Sequence, residues 1–346
     1  MSVPIDLRSD TVTRPSPAMR RAMAEAEVGD DVLGEDPTII RLQEACAGLY
    51  GMEAALFVPS GTMANQVAIK TWTHAGDELI CERNCHVLNY ESGAIAGISG
   101  VQVNAVEAPR GILTPEQVEA CIRPGNVHYA PTTLACIECT HNRGGGSIYP
   151  LENVRGISEV TLRHGIRLHL DGARLLNACV ATGLKATDYT QYCDSATLCF
   201  SKGLGAPVGS VVCGPAAFIE RARRWRKMLG GGMRQAGIIA AGALYALEHN
   251  VERLAEDHAN ARLLADGLAV IDILDLNPDE VETNMVFFDC HRTGMTGAEL
   301  AERMAREGVL MLATAPYRIR LVTHLDVSRE QIVQAVEAFK RVLMFV

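Results

Sequence analysis

Apolar and polar positions along the chain alternate between two periods. Short apolar runs of strand length recur within Ala54–Ala64 and at Glu78–Cys81, Val101–Ala108, Thr133–Cys139, Arg167–Gly172, Ala196–Ser201 and Ser210–Gly214. Between and before them, apolar residues return at helical spacing. Ile39, Leu42, Ala45, Cys46 and Leu49 do so within Thr38–Tyr50, and the same period marks Pro17–Glu27, Pro115–Ile122, Leu151–His164 and Leu175–Thr182, with a further helix predicted from Met63 to about Thr73. Repeated strand–helix alternation with near-continuous apolar strands predicts an α/β fold, a mostly parallel sheet covered by helices on both faces.

A long helical stretch, Ile238–Leu268, follows, weakened near His249 and Asn250. From about Ile271 the pattern becomes that of a smaller α/β unit. Strands are predicted at Met285–Cys290, Val309–Ala313 and Arg318–Thr323, and helices at Thr296–Glu307 and Ser328–Val346. The expected organisation is an extended arm (1–16), a large domain (17–250) and a small C-terminal α/β domain (251–346).

Composition narrows the function classes. A chain of 346 residues can bury a large core, and a formal charge of −9 argues against nucleic acid as a partner. The basic run Arg221–Lys227 is the local exception. The eleven cysteines follow no disulfide-scaffold spacing, and Cys136 and Cys139 lack a second pair at zinc spacing, so no metal is expected. The first residues carry no apolar signal core, and Ile238–Leu247 is far shorter than the roughly 18 residues of a membrane span. A cytoplasmic protein that does not enter the membrane is expected.

The candidate chemistry lies at strand ends. Lys202 follows one apolar run and opens a turn rich in glycine, which lets a ligand approach closely. Asp171 ends an earlier run. A lysine and a carboxylate so placed suit pyridoxal 5′-phosphate: the amine forms a Schiff base and the carboxylate keeps the pyridine nitrogen protonated. Ser60, Gly61 and Thr62 sit where a strand gives way to a helix, a turn that caps the helix and can also cradle a phosphate.

With these segments in place the chain resembles the L-threonine aldolases of the fold-type I, aspartate aminotransferase-like enzymes. The resemblance rests on DLRSDTVT (Asp6–Thr13), EVGDDVLGEDP (Glu27–Pro37), ALFVPSGTMANQ (Ala55–Gln66), HLDGARLLNA (His169–Ala178), SKGLGAPVGS (Ser201–Ser210), RKMLGGGMRQAG (Arg226–Gly237), TNMVFF (Thr283–Phe288) and RLVTHLDVS (Arg320–Ser328). It implies Lys202 as the Schiff-base lysine, Asp171 at the pyridine nitrogen, and Ser60, Gly61 and Thr62 at the phosphate. His86 would stack on the ring, and His128 would lie near the substrate's β-hydroxyl. Ser9, Arg174 and Arg320 would bind the α-carboxylate, with Arg318 the alternative to Arg320. Arg174 would also neighbour the cofactor's phenolic oxygen. Lys227 and Arg234 would reach a neighbouring subunit's cofactor, which implies a homo-oligomer, a tetramer.

The implied reaction is retro-aldol cleavage of L-threonine or L-allo-threonine to glycine and an aldehyde, with His86 and His128 as candidates for proton transfer. Glu138, His141 and Asn142 read as structural hydrogen-bond partners. An aminotransferase, racemase or β-eliminating lyase on the same scaffold is the alternative, since fold does not fix reaction. A catalytically silent relative would be expected to have lost Lys202 or Asp171, and both are present.

Overall fold

The computed structural model describes residues 4–344. Its strands are β1 (Ile5–Asp6), β2 (Ala54–Val58), β3 (Glu78–Glu82), β4 (Gln102–Val106), β5 (Thr132–Glu138), β6 (Arg167–Asp171), β7 (Ser195–Cys199), β8 (Ser210–Gly214), β9 (Met285–Asp289), β10 (Val309–Leu310), β11 (Leu312–Ala313) and β12 (Arg318–Val322). The first four helices are α1 (Pro17–Ala24), α2 (Pro37–Tyr50), α3 (Gly61–Trp72) and α4 (His86–Asn89).

The large sheet has seven strands in the order β2-β8-β7-β6-β5-β3-β4. Its pairings are parallel from β7 through β4, while β8 runs against both β7 and β2. The reversal follows from the connection: the short turn after β7 leaves no room for the crossover that a parallel neighbour needs. Gly205 and Gly209 take the positive φ angles of this turn, 78° and 108°. Residues of β3, β7 and β8 are buried throughout, as expected of strands covered on both faces.

A second core lies at the C-terminal end of the chain. The antiparallel sheet β11-β12-β9 packs with helices Leu254–Ala269, Gly297–Arg306 and Arg329–Leu343. The start of the chain joins this core: β1 pairs with β10, and Leu7 accepts the Val322 N–H through its carbonyl at 2.9 Å. The strand expected over Val309–Ala313 is in fact two. Val309–Leu310 pairs with β1 and Leu312–Ala313 with β12, so the chain changes sheets at Met311. The long helical stretch breaks after His249, as anticipated, and resumes at Leu254. Of the helix expected to reach Val346, residues 345–346 lie outside the described residues.

Candidate active site

The carboxyl ends of β2, β3, β5, β6 and β7 converge on one side of the sheet, the side where open α/β sheets bind ligands. A cavity of about 380 Å³ opens there, lined by Ser9, His86, Asn142, Arg174, Lys202 and Arg320 among others.

Asp171 is the last residue of β6 and is buried. Its Oδ2 accepts from Asn65 Nδ2 at 2.8 Å and its Oδ1 from the Ala173 N–H at 3.1 Å. Burial alone would raise its pKa. The charges of His86 and Lys202, with the Ala173 and Asn65 hydrogen bonds, outweigh burial and hold the carboxyl below its ordinary value. It is therefore an anion at neutral pH. Lys202 Nζ lies 3.6 Å from Cys199 Sγ and has no carboxylate partner among the described residues.

Ser60 caps α3 by accepting the Met63 N–H at 3.2 Å. The N–H groups of Gly61 and Thr62 remain at the helix start, where an anion is favoured. A Cβ on Gly61 would fall 2.6 Å from Cys199 Sγ, so glycine lets the helix start sit hard against the strand that leads to Lys202. The anionic Asp171, the unpaired amine and the open helix start fit pyridoxal phosphate.

His86 opens α4. Its Nδ1 lies 2.9 Å from Oε1 of the buried Glu91. Burial would lower its pKa, but Glu91 and Asp171 more than reverse this and raise it above the ordinary histidine value. Glu91 also accepts from Asn65 at 2.9 Å and Gln66 at 2.6 Å, which ties His86 to Asp171 through Asn65. The sequence reading missed Glu91. A carboxylate five residues beyond His86 was the available signal.

Of the three arginines that line the cavity, Arg143, Arg174 and Arg320, the last two are buried, in different states. Arg174 donates from Nε and Nη2 to the Asp10 carboxylate, at 2.7 and 2.6 Å. Burial opposes the Asp10 charge, but Arg174 holds its pKa well below the carboxylate range, helped by Lys202 and Asn284. Nη1 is the one Arg174 nitrogen that Asp10 does not engage. Asp10 was also missed; it stands inside the polar segment Asp6–Thr13 that reads as more than a tail.

Arg320 is 9 % exposed and has no ion pair among the described residues. Its Nη1 donates to Asn142 Oδ1 at 2.8 Å and its Nη2 to the Arg8 carbonyl at 3.2 Å, while Nε has no partner. Burial first, then the charge of Arg174, lowers its pKa below the usual arginine value. A buried guanidinium held by neutral oxygens is a receptor for an anion. Arg318, the alternative, is exposed over the Phe287 ring and does not line this cavity. Ser9 lines the cavity beside Thr11, whose hydroxyl donates to it at 2.9 Å.

Three expected residues are not brought to the cavity within this chain. His128 is exposed on the turn before β5, and the chain enters the sheet there at the amino end of that strand, opposite the site. Lys227 is exposed near the end of helix Ala216–Met228. Arg234 is exposed and paired with Asp30 at 2.8 Å.

Known proteins share the sequence and the fold of this chain. A family model described as beta-eliminating lyase matches residues 6–291. Low-specificity L-threonine aldolase 1 of Arabidopsis thaliana is 44% identical over 345 residues, covering 98% of this chain and 96% of that protein. The low specificity L-threonine aldolase of Escherichia coli (strain K12) is 47% identical over 334 residues, covering 95% and 96%. In fold, the Leishmania major threonine aldolase superposes with a TM-score of 0.84 at 21% identity, covering 98% of this chain and all of that one (100%). None of the described helices is long and apolar enough to cross a membrane. By the residues matched and by identity along nearly its whole length, this chain belongs to the beta-eliminating lyase family and, within it, to the low-specificity L-threonine aldolases.

Proposed function

We propose that this lyase cleaves L-threonine, L-allo-threonine and related β-hydroxy-α-amino acids to glycine and an aldehyde, using pyridoxal 5′-phosphate. The observation that carries the reading is Arg320, a buried cation without a carboxylate partner, in the same cavity as Lys202. An α-amino acid presents the two groups such a cavity asks for: an amine to displace the lysine and a carboxylate for the arginine.

Pyridoxal phosphate, when bound, supplies the carbonyl that Lys202 captures and the electron sink for the bond that breaks. With the cofactor bound, Asp171, as an anion, would keep a proton on the pyridine nitrogen. Gly61 and Thr62, with Ser60 as cap, would hold its phosphate. Arg320, Ser9 and Nη1 of Arg174 hold the substrate carboxylate, and so choose which bond of Cα is turned for cleavage. His86 walls the ring side and, bonded to Glu91, keeps a proton on Nδ1.

The chain is proposed to act in the cytoplasm as a homo-oligomer, a tetramer. Eleven free cysteines support a reducing compartment. Exposed Lys227 and Arg234, with Leu33 and Met228 each 67% exposed, support a neighbouring subunit on that face. His128, exposed and outside this chain's cavity, is proposed to meet a substrate across such an interface.

The test is aldehyde release from L-threonine and L-allo-threonine, measured side by side with the cofactor-loaded protein. Release from either is expected, and Lys202→Ala should abolish both release and the visible absorbance of the covalently held cofactor. A yellow, folded protein that releases aldehyde from neither substrate would defeat the proposal.

A further inference from the structure

Glu138 is the last residue of β5, in register with Asp171 on β6, and it is 5 % exposed. Its two oxygens serve two different parts of the cavity wall. Oε2 accepts the amide N–H of His86 at 2.7 Å, at the start of α4. Oε1 accepts the amide N–H of Asn142 at 2.9 Å. Asn142 in turn accepts Nη1 of Arg320 through Oδ1 at 2.8 Å. One buried carboxylate thus fixes the backbone that carries the His86 ring and the side chain that steadies Arg320.

His141 closes the arrangement from behind. The Gly144 N–H donates to its Nδ1 at 3.0 Å, which leaves the ring proton on Nε2. That nitrogen stands 3.0 Å from Glu82 Oε2 and 3.8 Å from Glu138 Oε2. Glu138 is thus engaged by two amide donors, with an imidazole nearby, and does not draw on Arg320.

The choice of an amide at position 142 has a chemical consequence. A carboxylate there would hold Arg320 equally well but would neutralise it, as Asp10 neutralises Arg174. The amide oxygen fixes the guanidinium and leaves its charge for a ligand. We infer that Asn142, held by Glu138, is a positioning residue for carboxylate recognition: it keeps Arg320 both oriented and un-neutralised. This rests on the reading of Arg320 as the α-carboxylate receptor, and it assigns to Glu138 and Asn142 more than the structural bonding their sequence context suggests.

The test compares two amines on the cofactor-loaded enzyme, followed by the visible absorbance change on titration. Glycine carries a carboxylate; methylamine does not. Asn142→Asp is isosteric, and it should weaken glycine binding about 10-fold or more, the scale of a hydrogen bond to a charged group, with methylamine binding unchanged. Glu138→Gln should move the same pair of affinities in the same sense, since one of its oxygens becomes a donor facing an N–H. Asn142→Asp leaves Glu138 in place and carries the test by itself should Glu138→Gln fail to fold. Glycine affinity at the wild-type level in Asn142→Asp overturns the inference, as does an equal loss for both amines, which marks general damage to the pocket. A wild-type enzyme that responds to methylamine but not to glycine overturns the carboxylate-receptor reading and this inference with it.

Discussion

Two corners of one cavity hold buried guanidinium groups, and they are solved in opposite ways. At the Arg174 corner the fork is met by Asp10, itself fully buried, through two short bonds. At the Arg320 corner the partners are an amide oxygen and a backbone carbonyl. A charge taken out of water costs several kcal/mol, of which a bidentate carboxylate returns much and a neutral acceptor less. The Arg174 corner has its counter-charge without a ligand and leaves only Nη1 for one. The Arg320 corner has no counter-charge of its own among the described residues, and under the proposed reading that asymmetry makes Arg174 mainly a strut and Arg320 the main receptor.

The contrast can be broken most severely at Asp10. Asp10→Asn leaves Arg174 buried without its counter-charge, and the loss of stability in urea unfolding is expected to be about 3–5 kcal/mol. Arg320→Ala should do the reverse. Stability should hold within about 1 kcal/mol, because an unpaired buried charge is removed, while kcat/KM for L-threonine falls about 100-fold. Were Asp10→Asn the milder change in stability, the assignment of strut and receptor would be wrong.

Acid sharpens the same comparison. The folded-state pKa of Asp10 lies below its ordinary value near 3.9. Its contribution is thus complete above about pH 4 and is lost as pH falls through the folded pKa. Unfolding measured across this window should lose part of its acid-side slope in Asp10→Asn, whereas Arg320→Ala should keep the wild-type slope. The smallest effect is expected away from both corners. His128→Ala should change the stability of the chain by no more than about 0.5 kcal/mol, since the side chain is exposed on a turn. A fall in aldehyde release with that stability intact would place His128 at another subunit's site.

Much of the site was legible along the chain. Lys202, Asp171 and the Ser60 turn each sit where an apolar run ends, and the strand–helix period alone carries that position to the ligand-binding side of a parallel sheet. His86 follows the same logic a few residues beyond β3. His128 did not, because its apolar run begins rather than ends beside it. The partnerships were also illegible. Asp10 meets Arg174 across 164 residues of chain, and Asn142 meets Arg320 across 178. No local pattern distinguishes an arginine that has found a carboxylate from one that has found an amide.

The sequence by itself determined the elements, the direction of the main sheet and the side on which its chemistry gathers, because period and turn composition act over a few residues. Only the tertiary structure decided the electrostatic state of the gathered groups. That state depends on which distant oxygen fills each buried donor's first contact, and on water having been excluded from around it.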